Sequence, residues 1–565
     1  MSVTEKIWVR HYPPSIPETL EYPDVPLTQF LLDAVKDFPD RDAILFLGKR
    51  MTFKELQLEV FRFANALKDL GVQKGERVGI MLPNCPQSVI AYYAILFVGG
   101  IVVQINPLYM ERELEHQLVD SGAETIISLD LVYQKIANVQ ENTRLKRIIV
   151  TSMKDYLPFP KNWLYSLKEI IEGTKLKIPY GEKVRSFVQL ISKALPTPLE
   201  ASYESGDDIA LLQYTGGTTG LAKGTMLTHR NLVVNCCQAA AWIYKAKRGQ
   251  DTILGALPFF HVYGMTVVMN FAMRMAATMI LIPKFDRDLV LKMISTHHPT
   301  LFPGAPTMYV GLINHPEIHR YNLSSIQACL SGSAPLPLEV QEKFEELTGG
   351  LLVEGYGLTE TSPVTHANLI WDRVKSGTIG LPWPDTDCRI VDPETGEVLP
   401  DGSVGELQIK GPQVMKGYWN RPEETEKVLK DGWFSTGDIV RMDEDGYFYI
   451  MDRKKDVIIA GGFNIYPREV EEVLFEHPAI QEAAVVGVPD PYRGETVMAF
   501  VVFKQGKQVA KEELEKFCRE KLASYKIPRL YEFRDELPKT AVGKILRRVL
   551  QEEAKETLSA SKVET

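Results

Sequence analysis

Three threonines, four glycines and one lysine fall within residues 214–224, YTGGTTGLAKG. Glycines let main-chain N–H groups approach another molecule closely. Threonine hydroxyls and a lysine ammonium suit phosphate oxygens. The predicted visitor is therefore a nucleotide phosphate. A P-loop would place Gly directly before the lysine, Ser or Thr directly after it, and then run straight into a helix. Here Ala222 precedes Lys223 and Gly224 follows. The next residues, TMLTH, read as a strand, with a helix starting only near Thr228. The P-loop reading fails, so the kind of phosphate chemistry must come from the rest of the chain.

The elements around this loop alternate. Thr52 and Glu55 form a capping box for a helix over residues 53–70. Leu56, Val60, Phe63, Ala64 and Leu67 make its apolar stripe, and Gly71 stops it. Strand RVGIML, helix QSVIAYYAILFVGG, strand IVVQIN, helix ERELEHQLVDSG and strand TIISLD follow. Such alternation predicts parallel sheets with helices on their faces. The pattern resumes from about 205 to 450. The last 110 residues or so change style and predict a small α+β domain, ending in a polar, frayed tail, QEEAKETLSASKVET.

With 565 residues the chain is too long for one compact core. Its 45% apolar and 24% charged residues are ordinary for a globular protein. A net charge of -9 argues against nucleic-acid binding. The six cysteines contain no C-x-x-C pair, so neither a zinc site nor a disulfide framework is expected. The first twenty residues have no apolar core of a signal peptide, and a cytoplasmic location is expected. Residues 265–283 are apolar enough to suggest a membrane, but Asn270 and Arg274 interrupt them, and they read as a buried helix running into a strand.

Residues 154–193 carry eight Lys or Arg against four acids, interleaved with Phe159, Trp163, Tyr165, Tyr180 and Phe187. One reading is peripheral contact with an anionic bilayer at the inner face of the membrane. The other is a solvated insertion packed by its own aromatics. A homodimer is among the assemblies the sequence leaves open.

Five further stretches follow the loop in order: LPFFHVYG (257–264), GYGLTE (355–360), STGD (435–438), DRKKDVIIAGGFNIYPREVEE (452–472) and PKTAVGKI (538–545). Together with YTGGTTGLAKG they resemble the adenylate-forming superfamily, which includes acyl-CoA synthetases, peptide-synthetase adenylation domains and firefly-type luciferases. The resemblance spans nearly the whole chain. With EGYGLTETSP and YWNRPEET included, the pattern is most similar to bacterial long-chain fatty-acid–CoA ligases. It implies an α/β fold: a large N-terminal domain of stacked α/β sheets with a distorted β-barrel, over 1–452 with an insertion at 154–205, and a small mobile α+β lid over 453–565.

The implied chemistry has two steps. A carboxylate attacks the α-phosphorus of ATP, giving acyl-AMP and pyrophosphate, and the thiol of CoA then displaces AMP. Bringing two anions together requires cations and fixed donors. Thr215, Gly216, Thr218, Thr219, Gly220 and Lys223 resemble the pyrophosphate-holding set. Glu360 is the implied Mg²⁺ ligand, because magnesium takes carboxylate and phosphate oxygens together. Thr359 would touch the α-phosphate. Gly355, Tyr356 and Gly357 would line the adenine, with Gly332, Ser333 and Ala334 as the opposite wall. Asp438 would take the ribose hydroxyls, supported by Arg453. Lys544, after Gly543, would bridge the attacking carboxylate and the α-phosphate. Lys539 is the less suited lysine. Lys455 matches the family's hinge, and Gly461 with Gly462 would leave room for a pantetheine arm, although a simple turn explains those glycines equally well.

Amino-acid-activating relatives place an aspartate just after the aromatic pair. Here the stretch is Phe259-Phe260-His261, which disfavours an amino-acid substrate. His261 would sit by the carboxylate or gate a tunnel. Met265, Met269, Met273, Met275 and Met279 suit a tunnel wall, and core packing suits them nearly as well. The reading is an ATP-, Mg²⁺- and CoA-dependent ligase for medium- to long-chain fatty acids. An aryl- or short-acyl-CoA ligase, a non-catalytic acyl or nucleotide binder and a luciferase-like oxygenase are its rivals.

Overall fold

The computed structural model describes residues 6–172, 176–200, 203–204, 206–215, 222–460, 463–490, 493–540 and 543–561. The chain forms two units: Trp8–Asp387 with Lys410–Phe434, and Cys388–Ile409 with Ser435–Thr565 and the first residues Met1–Ile7.

The larger unit is built on an eight-stranded sheet. Its order is Gly417–Tyr418, Lys223–Thr228, Ile209–Thr215, Ile101–Gln104, Arg77–Met81, Thr125–Leu129, Arg147–Thr151 and Val184–Ser186. The last six strands run parallel, and the first two pair antiparallel. The parallel strands read as continuous apolar runs because both faces are covered. The helices between them follow the sequence closely. Phe53–Asp69 has the Thr52–Glu55 capping box, and Glu111–Ser121 ends at a left-handed Gly122. The predicted strand after the phosphate loop is Lys223–Thr228, and a capping box at Thr228 starts the helix His229–Trp242. Two four-stranded sheets complete this unit: Thr252–Gly255, Thr278–Leu281, Asp42–Phe46, Lys49–Thr52; and Ala328–Ser331, Leu351–Gly357, Val364–Ala367, Leu381–Pro382.

The membrane-like stretch is buried inside this unit. It runs as a π-helix, Met265–Asn270, then the helix Phe271–Met275 and the strand Thr278–Leu281. Its polar residue is satisfied internally: Asn270 accepts from Tyr93 Oη at 3.1 Å and donates to Tyr92 Oη at 3.3 Å. Arg274 lies over the ring of Phe30. No described helix is long and apolar enough to cross a membrane.

Residues 154–193 depart from one expectation. Phe187 is buried and packs on Phe63, and Val184–Ser186 is the edge strand of the large sheet. Phe159, Trp163 and Tyr180 are exposed. Among the described residues of this segment, three of the five named aromatics are therefore exposed rather than packed on one another.

The smaller unit holds two sheets. One contains Asp387–Val391, Val404–Lys410, Trp433–Met442 and Phe448–Arg453. The other is ordered Phe463–Ile465, Ile458–Ala460, Gly494–Phe503, Ile480–Asp490, with Leu530–Arg534 parallel to Gly494–Phe503. Strict alternation along its two long strands makes two cores. Ala483, Val485, Val497, Ala499 and Val501 meet Val470, Leu474, Leu514 and Cys518 of the helices Pro467–Phe475 and Lys511–Lys521. Ala484, Val486, Met498, Phe500 and Val502 meet Leu550 and Ala554. That second face corrects the expected frayed tail: Arg547–Ser561 is a helix, because Leu550 and Ala554, one turn apart, cover an otherwise bare apolar face. The mixed α/β class with a smaller C-terminal unit is the fold expected from the sequence.

Candidate active site

Within the larger unit, the phosphate loop is a β-hairpin connection. Thr215 ends one strand and Lys223 begins the next, and the two are paired. Gly216, Thr218, Thr219 and Gly220 lie outside the described residues. Both ends of the loop are tethered. Tyr214 donates to Asp120 Oδ2 at 2.8 Å, and Arg421 holds the other oxygen of Asp120 at 2.8 Å. His116 Nε2 donates to the carbonyl of Ala222 at 2.9 Å, and Trp419 N–H donates to that of Gly224 at 2.7 Å. Lys223 itself pairs with Glu424 at 2.6 Å. Its two partner cations, Lys223 first and Lys427 second, hold the half-buried Glu424 carboxyl down at about 2.

Glu360 stands in the short helix Thr359–Thr361, directly after the strand Leu351–Gly357. Its main-chain carbonyl accepts from Met415 N–H at 2.8 Å, and Tyr418 Oη donates to its Oε1 at 2.8 Å. Thr359 and Glu360 are half-buried. The backbone here is tightly folded: a Cβ on Gly357 would lie 2.0 Å from the carbonyl oxygen of Pro363. Tyr356 packs edge-on against His366, whose imidazole burial pushes down to about 3. Gly355 lies against Leu330, and Gly332 against the ring of Tyr263, where a Cβ would stand 3.0 Å away. Ser333 takes a left-handed φ of 72°, and it and Ala334 are half-buried.

The PFFHVYG stretch is clamped by a residue the sequence reading missed. Buried Asn84 donates to the carbonyls of Gly255 and Leu257 at 2.9 and 2.7 Å and accepts from Phe259 N–H at 2.8 Å. No spacing links position 84 to 259. His261 caps the following helix, with Nδ1 accepting from Tyr263 N–H at 3.2 Å. The neutral tautomer then carries its proton on Nε2, which makes that nitrogen a hydrogen-bond donor. A small apolar cavity of about 20 Å³ in this unit is lined by Val267, Phe271, Leu301, Leu330, Ile370 and Trp383 among others. None of the five methionines lines it; they are buried in the core.

Within the smaller unit, three of the predicted residues come together. Asp438 and Arg453 are cross-strand partners, with Arg453 Nε 3.3 Å from Asp438 Oδ1. Lys544 lies in their field. Burial first, and the charge of Arg453 second, pull its ammonium down to about 7, against the opposing pull of Asp438. Lys544 keeps part of its surface in water. Its loop is closed by Gly543 at φ 80°, by Thr540 N–H to the Lys544 carbonyl at 2.8 Å, and by Lys544 N–H to Thr540 Oγ1 at 3.1 Å. Lys539 is committed elsewhere, to Glu482 at 2.5 Å. Lys455 stands exposed in the turn after Phe448–Arg453. Gly461 and Gly462 lie outside the described residues.

Arg547, three residues beyond Lys544, fixes that loop to the segment carrying Arg453. It binds Glu471 at 2.5 Å and reaches Asp456 at 3.5 Å and Asp452 at 3.8 Å. Burial raises the Asp452 carboxyl to about 6, although Arg547 and the N–H groups of Arg468 and Arg453 oppose the shift.

Two charged clusters are thus present: a lysine and a carboxylate on the larger unit, and a lysine, an arginine and a carboxylate on the smaller one. A model of the AMP-binding enzyme family matches residues 31–419, and one of its C-terminal domain matches residues 469–544. The chain belongs to the AMP-binding enzyme family. It is 55% identical to a long-chain-fatty-acid–CoA ligase of Bacillus subtilis (strain 168), over 98% of this chain and 99% of the relative. A ligase of the same name from Yersinia pestis is 42% identical over 97% and 98%. Among solved structures, the anthranilate CoA ligase AuaEII in complex with anthranoyl-AMP superposes with a TM-score of 0.84, at 29% identity, over 96% of this chain and 99% of that one. ATP-bound MatB from Rhodopseudomonas palustris gives 0.82 at 30% identity over 94% and 100%.

The lowered pKa of Lys544 has a measurable consequence for an AMP-binding enzyme. A bridging role needs the cationic form, and that form is lost as pH rises through about 7. The kcat/KM of adenylation, which reports the free enzyme, is expected to fall above pH 7 with a one-proton slope. Lys544→Arg, which stays charged, should lose that falling limb. A profile flat to pH 9 in the unaltered protein would contradict the role.

Proposed function

We propose that this protein ligates a medium- to long-chain fatty acid to CoA, with ATP converted to AMP and pyrophosphate. The observation that carries this reading is the full-length identity to long-chain-fatty-acid–CoA ligases. His261 in place of a carboxylate supports an acid without an ammonium group.

In the first half-reaction the fatty carboxylate oxygen forms a bond to the α-phosphorus, and the bond from that phosphorus to the pyrophosphate oxygen breaks. Lys223 and Thr215 hold the leaving phosphates. Lys544 neutralises the negative charge shared by the nucleophile and the α-phosphate, which works as fixed electrostatic stabilisation. Asp438 accepts from the ribose hydroxyls, and Arg453, 3.3 Å away, orients that carboxylate. Glu360 fits a magnesium site, because its half-buried carboxylate is oriented by Tyr418 and magnesium asks for one or two carboxylates with the remainder from phosphate and water. When bound, the ion supplies neutralisation of phosphate charge. In the second half-reaction the CoA sulfur bonds to the acyl carbon and AMP leaves. Lys455 is the proposed hinge of a small lid domain over 453–565 that serves both steps, with Gly461 and Gly462 on the pantetheine path.

The test is a panel of acids from C2 to C18, with benzoate and amino acids included, scored by AMP formation with CoA. AMP formation with palmitate and not with benzoate or acetate is the expected result. A preference for benzoate or acetate would replace this reading with the aryl- or short-acyl one. No turnover with any acid would favour a binding protein.

Peripheral membrane contact through 154–193 is part of the proposal. The helix Lys161–Ile171 puts Trp163, Leu164, Leu167, Ile170 and Ile171 on one face by its 3.6-residue period. Trp163 is 58% and Ile171 80% exposed, and Phe159 just before the helix is 83% exposed. Such a face beside lysines suits an anionic lipid surface, from which a long-chain acid would be drawn. Trp163→Ser combined with Ile171→Ser is expected to weaken sedimentation with phosphatidylglycerol-containing vesicles by about tenfold, with turnover of soluble octanoate retained. Unchanged sedimentation would remove the membrane from the account.

A further inference from the structure

Tyr418 belongs to the YWNRPEET stretch, to which the sequence reading assigns no role. It occupies an edge position on the large sheet, where Gly417 and Tyr418 pair with Met226 and Thr225. Its backbone is pinned on both sides. Lys416 N–H donates to the Met226 carbonyl at 3.0 Å, Trp419 N–H to the Gly224 carbonyl at 2.7 Å, and Tyr418 N–H to Thr425 Oγ1 at 2.9 Å. Gly417, at φ 145°, allows the approach, since a Cβ there would lie 2.8 Å from Thr425.

The side chain that this backbone fixes is buried and touches both halves of the phosphate machinery. Its hydroxyl donates to Glu360 Oε1 at 2.8 Å. The ammonium of Lys223 lies 5.2 Å from its ring centroid. A carboxylate oxygen accepts, so the phenol is the donor in this bond. Glu424, 2.6 Å from Lys223, closes the row on the far side. The order is carboxylate, phenol, ammonium, carboxylate.

We propose that Tyr418 is a positioning residue for nucleotide activation: its hydroxyl orients the Glu360 carboxylate, its ring seats the Lys223 ammonium, and so one side chain sets the metal carboxylate and the phosphate cation in register. Fixing one carboxylate oxygen decides where the other lies. A cation seated on an aromatic face is held without a directional bond, so a phosphate can take the place that the Glu424 carboxylate occupies. The inference rests on the roles given above to Lys223 and Glu360.

Two substitutions in the full-length protein separate the two contacts, with binding measured by calorimetry rather than turnover. Tyr418→Phe keeps the ring and loses the hydroxyl. It is expected to raise the Mg²⁺ concentration needed for half-maximal ATP affinity by about fivefold, the effect of one hydrogen bond, and to leave metal-free pyrophosphate binding unchanged. Tyr418→Leu removes both contacts and should also weaken pyrophosphate binding by about threefold. Glu360→Gln and Lys223→Met are the controls. Should these controls leave the Mg²⁺ requirement and pyrophosphate binding unmoved, the underlying site assignment fails. Should the controls shift both while Tyr418→Phe leaves the Mg²⁺ requirement unchanged, the site stands and the role of Tyr418 is overturned. Melting temperatures of Tyr418→Phe and the unaltered protein should agree, and a drop in melting temperature with an unmoved Mg²⁺ requirement would assign Tyr418 to packing alone.

Discussion

Lys544→Ala is expected to lower palmitate adenylation by about 10²–10³-fold, the scale seen when one fixed electrostatic stabiliser of a transition state is removed. ATP binding should change little, because the lysine proposed to hold the phosphates is a different residue, Lys223 of the larger unit. Thioester formation from supplied acyl-AMP should survive, since no phosphoryl transfer remains once the acyl phosphate exists. The geometry supports this division. Lys539, five residues earlier, is tied to Glu482, so the loop presents one lysine and not two. Lys544 lies in the field of Asp438 and Arg453, the pair assigned to the ribose. Pre-steady-state release of pyrophosphate and single-turnover conversion of acyl-AMP with CoA measure the two halves separately. Equal loss of both would show that the lysine serves the fold of its loop rather than the first step.

Arg547→Ala is expected to destabilise the smaller unit by about 3 kcal/mol, at the low end of the range for breaking a buried ion pair, since Arg547 keeps some contact with water. The loss comes from what is left behind. Asp452 and Glu471 are almost fully buried, and both carboxylates face Arg547. In a unit of this size the shift in melting temperature should be about 6–12 °C. Adenylation should fall as well, because Arg547 ties the Lys544 loop to the strand end that carries Arg453. Arg547→Lys should recover part of the stability and less of the rate, since a point charge cannot satisfy several carboxylates in the way a guanidinium fork does. A melting temperature unchanged in Arg547→Ala would contradict the anchoring role.

The two strands that flank residues 216–221 were legible from local rules. Ala222 before Lys223 excluded a P-loop, and the strand that follows, with its cap at Thr228, lies where turn chemistry put it. The long helices and parallel strands were legible for the same reason: period and caps act over a few residues. The C-terminal tail was misread because its composition is polar, and the apolar contacts of its helix with the sheet come from Leu550, just before the tail, and Ala554. An apolar pair one turn apart is too weak a signal to outweigh such a background. Asn84, Asp120 and Tyr418 were invisible because their partners, at 255–259, 214 and 360, are brought near by tertiary folding alone. Gly264 shows the limit from the other side. It was quoted as part of a motif, but its requirement comes from the carbonyls of Leu257 and Pro258, which a Cβ would approach to 2.8 and 2.5 Å.

The account depends on acyl-AMP forming before the thiol enters. Exchange of labelled pyrophosphate into ATP, measured with palmitate and with CoA omitted, tests this most directly. The expected result is exchange that requires palmitate and Mg²⁺ and is abolished in Lys544→Ala. Exchange that appears only when CoA is added, or that proceeds at the same rate in Lys544→Ala, would contradict it.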